Sequence, residues 1–183
     1  MLIGAIAGFV GGFVDNILMR ITDALLAFPP LLLAIGLVAA TGPSITTVSI
    51  IIGIIYIPRF ARVMRGAVLT EASKEYVEAA KAIGQDPWRM LIFHIGPATI
   101  SPIIVLSTIV FALAIIIEAS LSFLGLGVPP PTPSWGGMLS ESRSFMTKSV
   151  WMAVFPGATI SFAVLGLNLL GDGLRDYLDP KDY

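Results

Sequence analysis

Few side chains in this 183-residue chain could carry out chemistry of their own. The chain contains no cysteine and a single histidine, His94, so it can build neither a Cys/His zinc site nor a thiol nucleophile. It also lacks a Gly-x-x-x-x-Gly-Lys-Ser/Thr run that could cradle nucleotide phosphates. We therefore expect no catalytic residue, no metal site and no cofactor, and we expect that the chain is not itself an enzyme.

Two polar residues stand out because they lie in or beside long apolar stretches. Glu118 could face a substrate amine or relay protons, but its place at the edge of an apolar stretch favours a carboxylate that reaches back to water. Asn168 lies inside another apolar stretch, where an amide needs a partner. A bond between helices is favoured for Asn168, which leaves it a weak candidate for the substrate path.

The polar interval around residues 69–94 has the most informative spacing. Apolar side chains recur there at helical intervals, at Leu69, Ala72, Tyr76, Ala79, Ala80 and Ile83. Thr70 or Ser73 can cap the start of this helix, with Glu71 at its positive end, and Gly84 can end it in a left-handed turn. Asp86 followed by Pro87 is typical of the start of a second helix. The pattern predicts a helix, a tight turn and another helix.

The apolar stripe of this segment is centred on alanines, which let another backbone approach closely. A helix that lies on a membrane instead shows Trp, Phe or Leu opposite Lys or Arg. Spacing alone leaves three interpretations open, which are a protein-docking surface, an amphipathic surface helix and a solvated connector.

The composition indicates that the surrounding elements lie in a membrane. Hydrophobic residues make up 56% of the chain and charged residues 13%, against about 45–50% and about 25% in soluble domains. The net charge of −1 gives no basic field for nucleic acid. Five apolar segments predict an all-α, polytopic helix bundle of about five spans: Met1–Val14, Ala24–Ala40, Ile45–Phe60, Ile95–Ile117 and Val150–Leu170.

Two further features bear on the helices. Pro29-Pro30 should break or kink the second segment near its start. Small residues at or near four-residue spacing favour close helix packing in the first segment, at Gly4, Gly8, Gly11 and Gly12.

The basic residues predict the orientation of the chain. Six of them lie in the interval Arg59–His94, whereas Ala119–Ser149 carries only Arg143 and Lys148. We therefore expect a single domain, residues 1–183, with a cytoplasmic loop at about 66–94 and an external loop at about 119–149. The carboxyl terminus would be cytoplasmic and Met1 external, which leads us to expect that a preceding span is missing.

The cytoplasmic interval resembles permease subunits of binding-protein-dependent ABC importers. Those subunits carry Glu-Ala-Ala, three residues, Gly, nine residues and then Ile-x-Leu-Pro. This chain has Glu78-Ala79-Ala80, Gly84 and Pro97 in the same register, with His94 in place of Ile and Gly96 in place of Leu.

The resemblance covers essentially the whole chain and narrows further to the C-type subunit of dipeptide, oligopeptide and nickel importers, without the usual first span. It is carried by residues 23–29, residues 118–136, the run Gly171–Asp176 and the pair Asp179-Pro180.

The resemblance implies a multi-pass subunit of the cell membrane that forms half of the translocation path for di- or oligopeptides. Its implied partners are two ATP-binding subunits, a homologous second permease, an extracytoplasmic substrate-binding protein and membrane lipid. Nickel or another small solute is the alternative cargo. An ion-driven secondary transporter is the rival class, although it would favour carboxylates or broken helices near the middle of the membrane. The residues implied to dock a separate ATPase, on a coupling helix, are Tyr76, Glu78, Ala79, Ala80, Ile83 and Gly84.

Overall fold

A computed structural model describes residues 1–178, and every regular element in that range is helical. The α-helices in chain order are α1 (Leu2–Val10), α2 (Gly12–Leu26), α3 (Pro30–Thr41), α4 (Ile45–Ala72), α5 (Glu75–Ala82), α6 (Pro87–Met90), α7 (Gly96–Ala98), α8 (Ile100–Phe123), α9 (Trp135–Ser142) and α10 (Trp151–Leu178). A π-helical turn covers Leu91–Ile95 and a 3-10 turn covers Arg143–Phe145. The predicted all-α class is confirmed, while Asp179-Pro180 lies outside the described residues.

Three helices, α4, α8 and α10, are long and apolar enough to cross a membrane. The pair α2 and α3 passes the same test only together, and it is bent by 84° at its break, where Pro29-Pro30 predicts one. Residues 1–178 thus support three spans, or up to four if the bent pair is one span, where the sequence pattern predicts about five. The difference lies in the first segment, because the nine residues of α1 cover about 14 Å of a roughly 30 Å hydrocarbon core.

Close helix packing at Gly4 and Gly8 is confirmed. A Cβ atom at Gly4 would overlap the backbone carbonyl of Ala61, and one at Gly8 would meet the carbonyl oxygen of Arg65, both on α4. Gly11 and Gly12 serve a different purpose from the one predicted. Both have positive φ, and no atom outside the adjoining backbone lies within 4 Å of the point that a Cβ would occupy, so they form the break between α1 and α2.

Helix α4 continues well past Phe60, where the apolar pattern ends, and stops at Ala72. The arginines on this extension are paired with acidic residues of α2, which lets a charged helix pack against its neighbour. Arg65 holds Asp15 through two bonds of 2.5 Å, and Arg62 lies 2.7 Å from Asp23. Two-bond guanidinium–carboxylate pairs of this kind also fix orientation.

The next span begins later than the sequence pattern predicts, at Ile100 rather than Ile95. The π-helical turn and the three-residue α7, which contains Pro97, precede it. Proline donates no backbone hydrogen bond, and it interrupts the regular α-helical ladder at this point. At its other end α8 runs on to Phe123, and the predicted external loop contains a helix of its own, α9.

The chain divides into two compact units. The first comprises Met1–Ala27, Ile57–Ser107 and the described residues from Gly171 onward, and the second comprises Phe28–Tyr56 and Thr108–Leu170. The first unit has a core of Ala5, Val68, Val77, Ala80, Met90, Leu91 and Ile95, with Phe9, Met64 and Ala72 packed against it.

Helix α10 exposes most of its apolar surface. Only 6% of its most hydropathic stretch is buried within the chain, against 33% for α4 and 28% for α8. Its exposed side chains include Phe155 and Phe162. A continuous apolar surface of this size needs lipid or another protein to cover it.

Candidate functional site

The segment that the sequence predicts as one helix from Leu69 is divided at Ser73. The Ser73 hydroxyl donates to the Thr70 carbonyl, and the Lys74 N–H donates to the Glu71 carbonyl. Lys74 then has an extended conformation, with ψ 149°, and precedes α5 without a side-chain cap. The predicted cap at Thr70 or Ser73 is therefore wrong, and Glu71 belongs to the last turn of α4.

Glu71 lies beneath the turn between α4 and α5 and is 8% exposed. The Lys74 ammonium lies 2.6 Å from Glu71 Oε2, and the Tyr76 hydroxyl lies 3.3 Å from Oε1. Partial burial, followed by the negative charge of Glu71 and the hydrogen bond to it, raises the pKa of the Tyr76 phenol. The phenol stays neutral and can donate to the carboxylate throughout the physiological pH range.

The predicted docking residues of α5, together with Ile83 directly after it, divide between two faces. Ala80 faces inward with Val77, and both are buried in the core of the first unit. Glu78 and Ala79 are exposed, Tyr76 is 43% exposed and Ile83 is 83% exposed. The face available to another protein therefore carries Tyr76, Glu78, Ala79 and Ile83, while Ala80 attaches α5 to its own chain.

Gly84 ends α5 as the sequence predicts. It has φ 77°, in the left-handed region that side chains disfavour. Its N–H donates to the Lys81 carbonyl, and the Gln85 N–H donates to the Ala80 carbonyl. These two bonds form a Schellman motif, which satisfies carbonyls at the end of the helix and reverses the chain.

The start of the second short helix is also confirmed. The Asp86 side chain accepts a 3.0 Å hydrogen bond from the Arg89 N–H, and Pro87 occupies the first helical position. Sequence reasoning missed Trp88, which is 53% exposed and lies with its ring centroid 6.4 Å from that of Phe9. A tryptophan directly after a helix-starting Asp-Pro pair was the available signal for it.

Glu118 and Asn168 belong to the second unit. Glu118 Oε1 accepts a 2.7 Å hydrogen bond from the Ser122 hydroxyl. Asn168 lies exposed on α10. Within residues 1–178, no three His, Cys, Asp or Glu side chains are grouped so that they could hold a metal ion.

Comparison with known proteins gives consistent matches along the chain. The family of binding-protein-dependent transport system inner membrane components matches residues 1–181. The chain is 47% identical over 179 residues to the dipeptide transport system permease protein of Alkalihalophilus pseudofirmus, covering 98% of this chain and 59% of that protein.

Two further relatives match at similar levels. One is the glutathione transport system permease protein of Pectobacterium atrosepticum, 47% identical over 98% of this chain and 60% of the relative. The other is the di/tripeptide transport system permease protein of Pseudomonas aeruginosa, 43% identical over 99% of this chain and 60% of the relative. The chain thus spans about three fifths of the length of the curated relatives it matches. Because the family match covers nearly all of its residues, this membrane chain belongs to the family of inner membrane components of binding-protein-dependent transport systems.

Proposed function

We propose that this chain is a non-catalytic permease subunit that forms half of a translocation path for small peptides and couples it to a separate ATPase. The observation that carries the proposal is the attachment of α5. Its inner face is packed in the core through Val77 and Ala80, while Tyr76, Glu78 and Ile83 remain exposed. A protein that pushed on the exposed face would move α5 and the adjoining end of α4 together.

The orientation in this proposal follows the basic residues. The segment of about residues 66–94 faces the cytoplasm, where two ATP-binding subunits would dock. The segment of about residues 119–149 faces outward, toward an extracytoplasmic substrate-binding protein, and the carboxyl terminus is cytoplasmic. A homologous second permease supplies the other half of the path, and membrane lipid surrounds both.

Peptides are the proposed cargo. Relatives of this chain are named for the transport of dipeptides, di/tripeptides and glutathione, which is itself a tripeptide. Nickel or another small solute is the alternative cargo, and the names of these relatives favour peptides over it. The break between α2 and α3 occurs in ion-driven transporters too, but the family match supports a system that depends on a binding protein.

The test is reconstitution of the full-length protein in liposomes with two ATPases, a second permease and a binding protein. We expect a labelled dipeptide to accumulate only when ATP and all of these subunits are present. Uptake driven by an ion gradient without ATP would contradict the proposal. So would the absence of any ATPase from the complex purified in mild detergent after co-expression.

A further inference from the structure

A groove in the second unit is lined by one carboxylate and mostly apolar side chains. It encloses about 330 Å³, a volume at the lower end of the range for small-molecule sites. Its lining includes the apolar residues Ile52 and Phe111 and the polar residues Ser49, Glu118 and Trp135. Glu118 and Trp135 also line a neighbouring cavity of about 340 Å³.

The Glu118 carboxylate is held in place by a buried hydroxyl. Ser122, one turn further along α8, is 5% exposed and donates a 2.7 Å hydrogen bond to Glu118 Oε1. The Ser122 oxygen in turn accepts a hydrogen bond from the Val128 N–H at 3.2 Å. A Cβ atom at Gly127 would overlap Ser122, so the loop closes tightly over this serine. The carboxylate is thereby oriented, and it keeps further acceptor sites for a ligand.

Trp135 is placed at the groove by the start of α9. Ser134 caps this helix by accepting a 3.0 Å hydrogen bond from the Gly137 N–H. A Cβ atom at Gly136 would overlap the Ala119 backbone, so α9 begins in direct contact with α8. The tryptophan and the carboxylate therefore line the same groove although 17 positions separate Trp135 from Glu118 in the chain.

An oriented carboxylate between apolar walls favours a cation as its partner, because an unpaired charge in such surroundings is unfavourable. Hydrocarbon tails of lipids cannot supply that partner. We propose that this groove binds the α-ammonium group of the transported peptide, with Glu118 accepting its N–H groups. Trp135 provides an aromatic surface of the kind that attracts ammonium ions, and the apolar walls receive the adjoining side chain.

The α-ammonium is the cation that fits this site best. It is common to unmodified peptides whatever their side chains, so one carboxylate can serve a transporter of varied peptides. A metal ion would need several ligands, and residues 1–178 bring no such group together here. This inference rests on the proposed function, and it names the part of the cargo that the groove recognises.

The test compares uptake of a labelled dipeptide with uptake of its N-acetyl derivative, both supplied at concentrations that saturate the binding protein. The complete transporter is reconstituted with the wild-type chain, Glu118→Gln or Glu118→Asp. Glu141→Gln, an exposed carboxylate of the same unit that lines other cavities, is the matched control. We expect roughly tenfold preference for the free amine in the wild type and the control, because a hydrogen bond to a charged group is worth about 1.5 kcal/mol or more. Glu118→Gln should abolish the preference, while ATP hydrolysis stimulated by the binding protein is retained, and Glu118→Asp should restore part of the preference.

Two results would overturn the inference. One is an unchanged preference in Glu118→Gln. The other is equal loss of both uptakes together with loss of the assembled complex, which would assign Glu118 to a cation of a partner subunit. Failure of the proposed function itself looks different, because the wild-type complex would then take up neither compound in an ATP-dependent manner.

Discussion

The Tyr76 hydroxyl on α5 lies 3.3 Å from the Glu71 carboxylate in the last turn of α4. Tyr76 is 43% exposed, whereas Glu71 is 8% exposed. A single side chain thus joins the outer face of the proposed docking helix to the end of a candidate span. Because a hydrogen bond to a charged group restricts both partners, displacement of α5 should be transmitted to α4 through this contact.

Tyr76→Phe should therefore weaken coupling without preventing assembly. The variant removes the bond but keeps the ring, and a partly exposed bond of this type stabilises by about 1 kcal/mol. We expect the number of ATP molecules hydrolysed per peptide to rise by up to about fivefold, the factor that about 1 kcal/mol corresponds to. The measurement is parallel uptake and ATPase assays in proteoliposomes.

Tyr177→Phe is the matched control for that experiment, because Tyr177 is 86% exposed near the end of α10. It should behave as the wild type. Glu71→Gln should resemble Tyr76→Phe and add a loss of stability, since it also removes the charge that pairs with Lys74. Unaltered coupling in both Tyr76→Phe and Glu71→Gln would show that this contact transmits nothing.

The raised pKa of Tyr76 predicts how the contact depends on pH. In the unfolded chain a tyrosine ionises near pH 10, and in the folded chain this phenol ionises at higher pH. Its contribution to stability is therefore fully present below about pH 10, and it is lost as pH rises through the folded pKa. The ultraviolet difference titration of wild type minus Tyr76→Phe should show a midpoint above about pH 10, the ordinary value for a tyrosine. A midpoint at or below that value would contradict the geometry.

Substitutions at Gly84 test the backbone conformation of the turn, because an added Cβ atom would contact no other part of the chain there. No atom other than those of Gly84 and its two chain neighbours lies within 4 Å of the position that a Cβ would occupy there, so the cost of substitution comes from φ 77° alone. Gly84→Ala should lower stability of the segment by about 1–2 kcal/mol, and Gly84→Asn by less, because asparagine tolerates this region. Gly84→Pro should be worst, since proline cannot reach positive φ and lacks the N–H that bonds to the Lys81 carbonyl.

The measurement for the Gly84 series is peptide uptake together with co-purification of the ATPase. Gly173→Ala provides the control, because this helical glycine on α10 is also free of neighbours within 4 Å and has no positive φ. It should be neutral. Normal uptake by Gly84→Pro would show that the proposed coupling does not depend on this turn.

Local signals in the sequence predicted the turn after α5 correctly. Which face of α5 is buried depends on tertiary packing, and local signals do not contain that information. Gly84 and the Asp86-Pro87 pair act through hydrogen bonds between residues at most five positions apart, so the adjacent sequence is enough to predict their effects. The alanine stripe is different. Ala79 and Ala80 are the same size, and only packing against the cluster of Ala5, Val68 and Met90 decides that Ala80 is the buried one.

The prediction for Glu118 was limited because its surroundings include a residue that is distant in the sequence. Its position at the edge of an apolar stretch favours a carboxylate that reaches water. In the folded chain it is held by Ser122 and lines a groove with Trp135, which lies on another helix. The irregular segment between α8 and α9 has no periodicity from which that proximity could be derived.

The two faces of α5 predict opposite effects of mutation. Ile83→Ser changes a side chain that is 83% exposed, so it should reduce ATPase co-purification while leaving the thermal stability of the isolated chain unchanged. Val77→Ala creates a small cavity at a fully buried position, so it should destabilise the chain by about 2 kcal/mol. Thermal unfolding in detergent and pull-down of the ATPase measure the two effects separately. Full ATPase binding by Ile83→Ser would exclude Ile83 from the docking face.

Labelling with a membrane-impermeant thiol reagent can establish the orientation, because the chain has no cysteine of its own. Thr132 is a better external reporter than Ser134, since it is exposed whereas Ser134 caps α9. Ser73 is exposed in the turn before α5 and serves as the internal reporter. We expect Thr132→Cys to react in intact cells and Ser73→Cys to react only after the membrane is opened. Reaction of Ser73→Cys alone in intact cells would reverse the proposed topology, and α5 would then face away from any cytoplasmic ATPase.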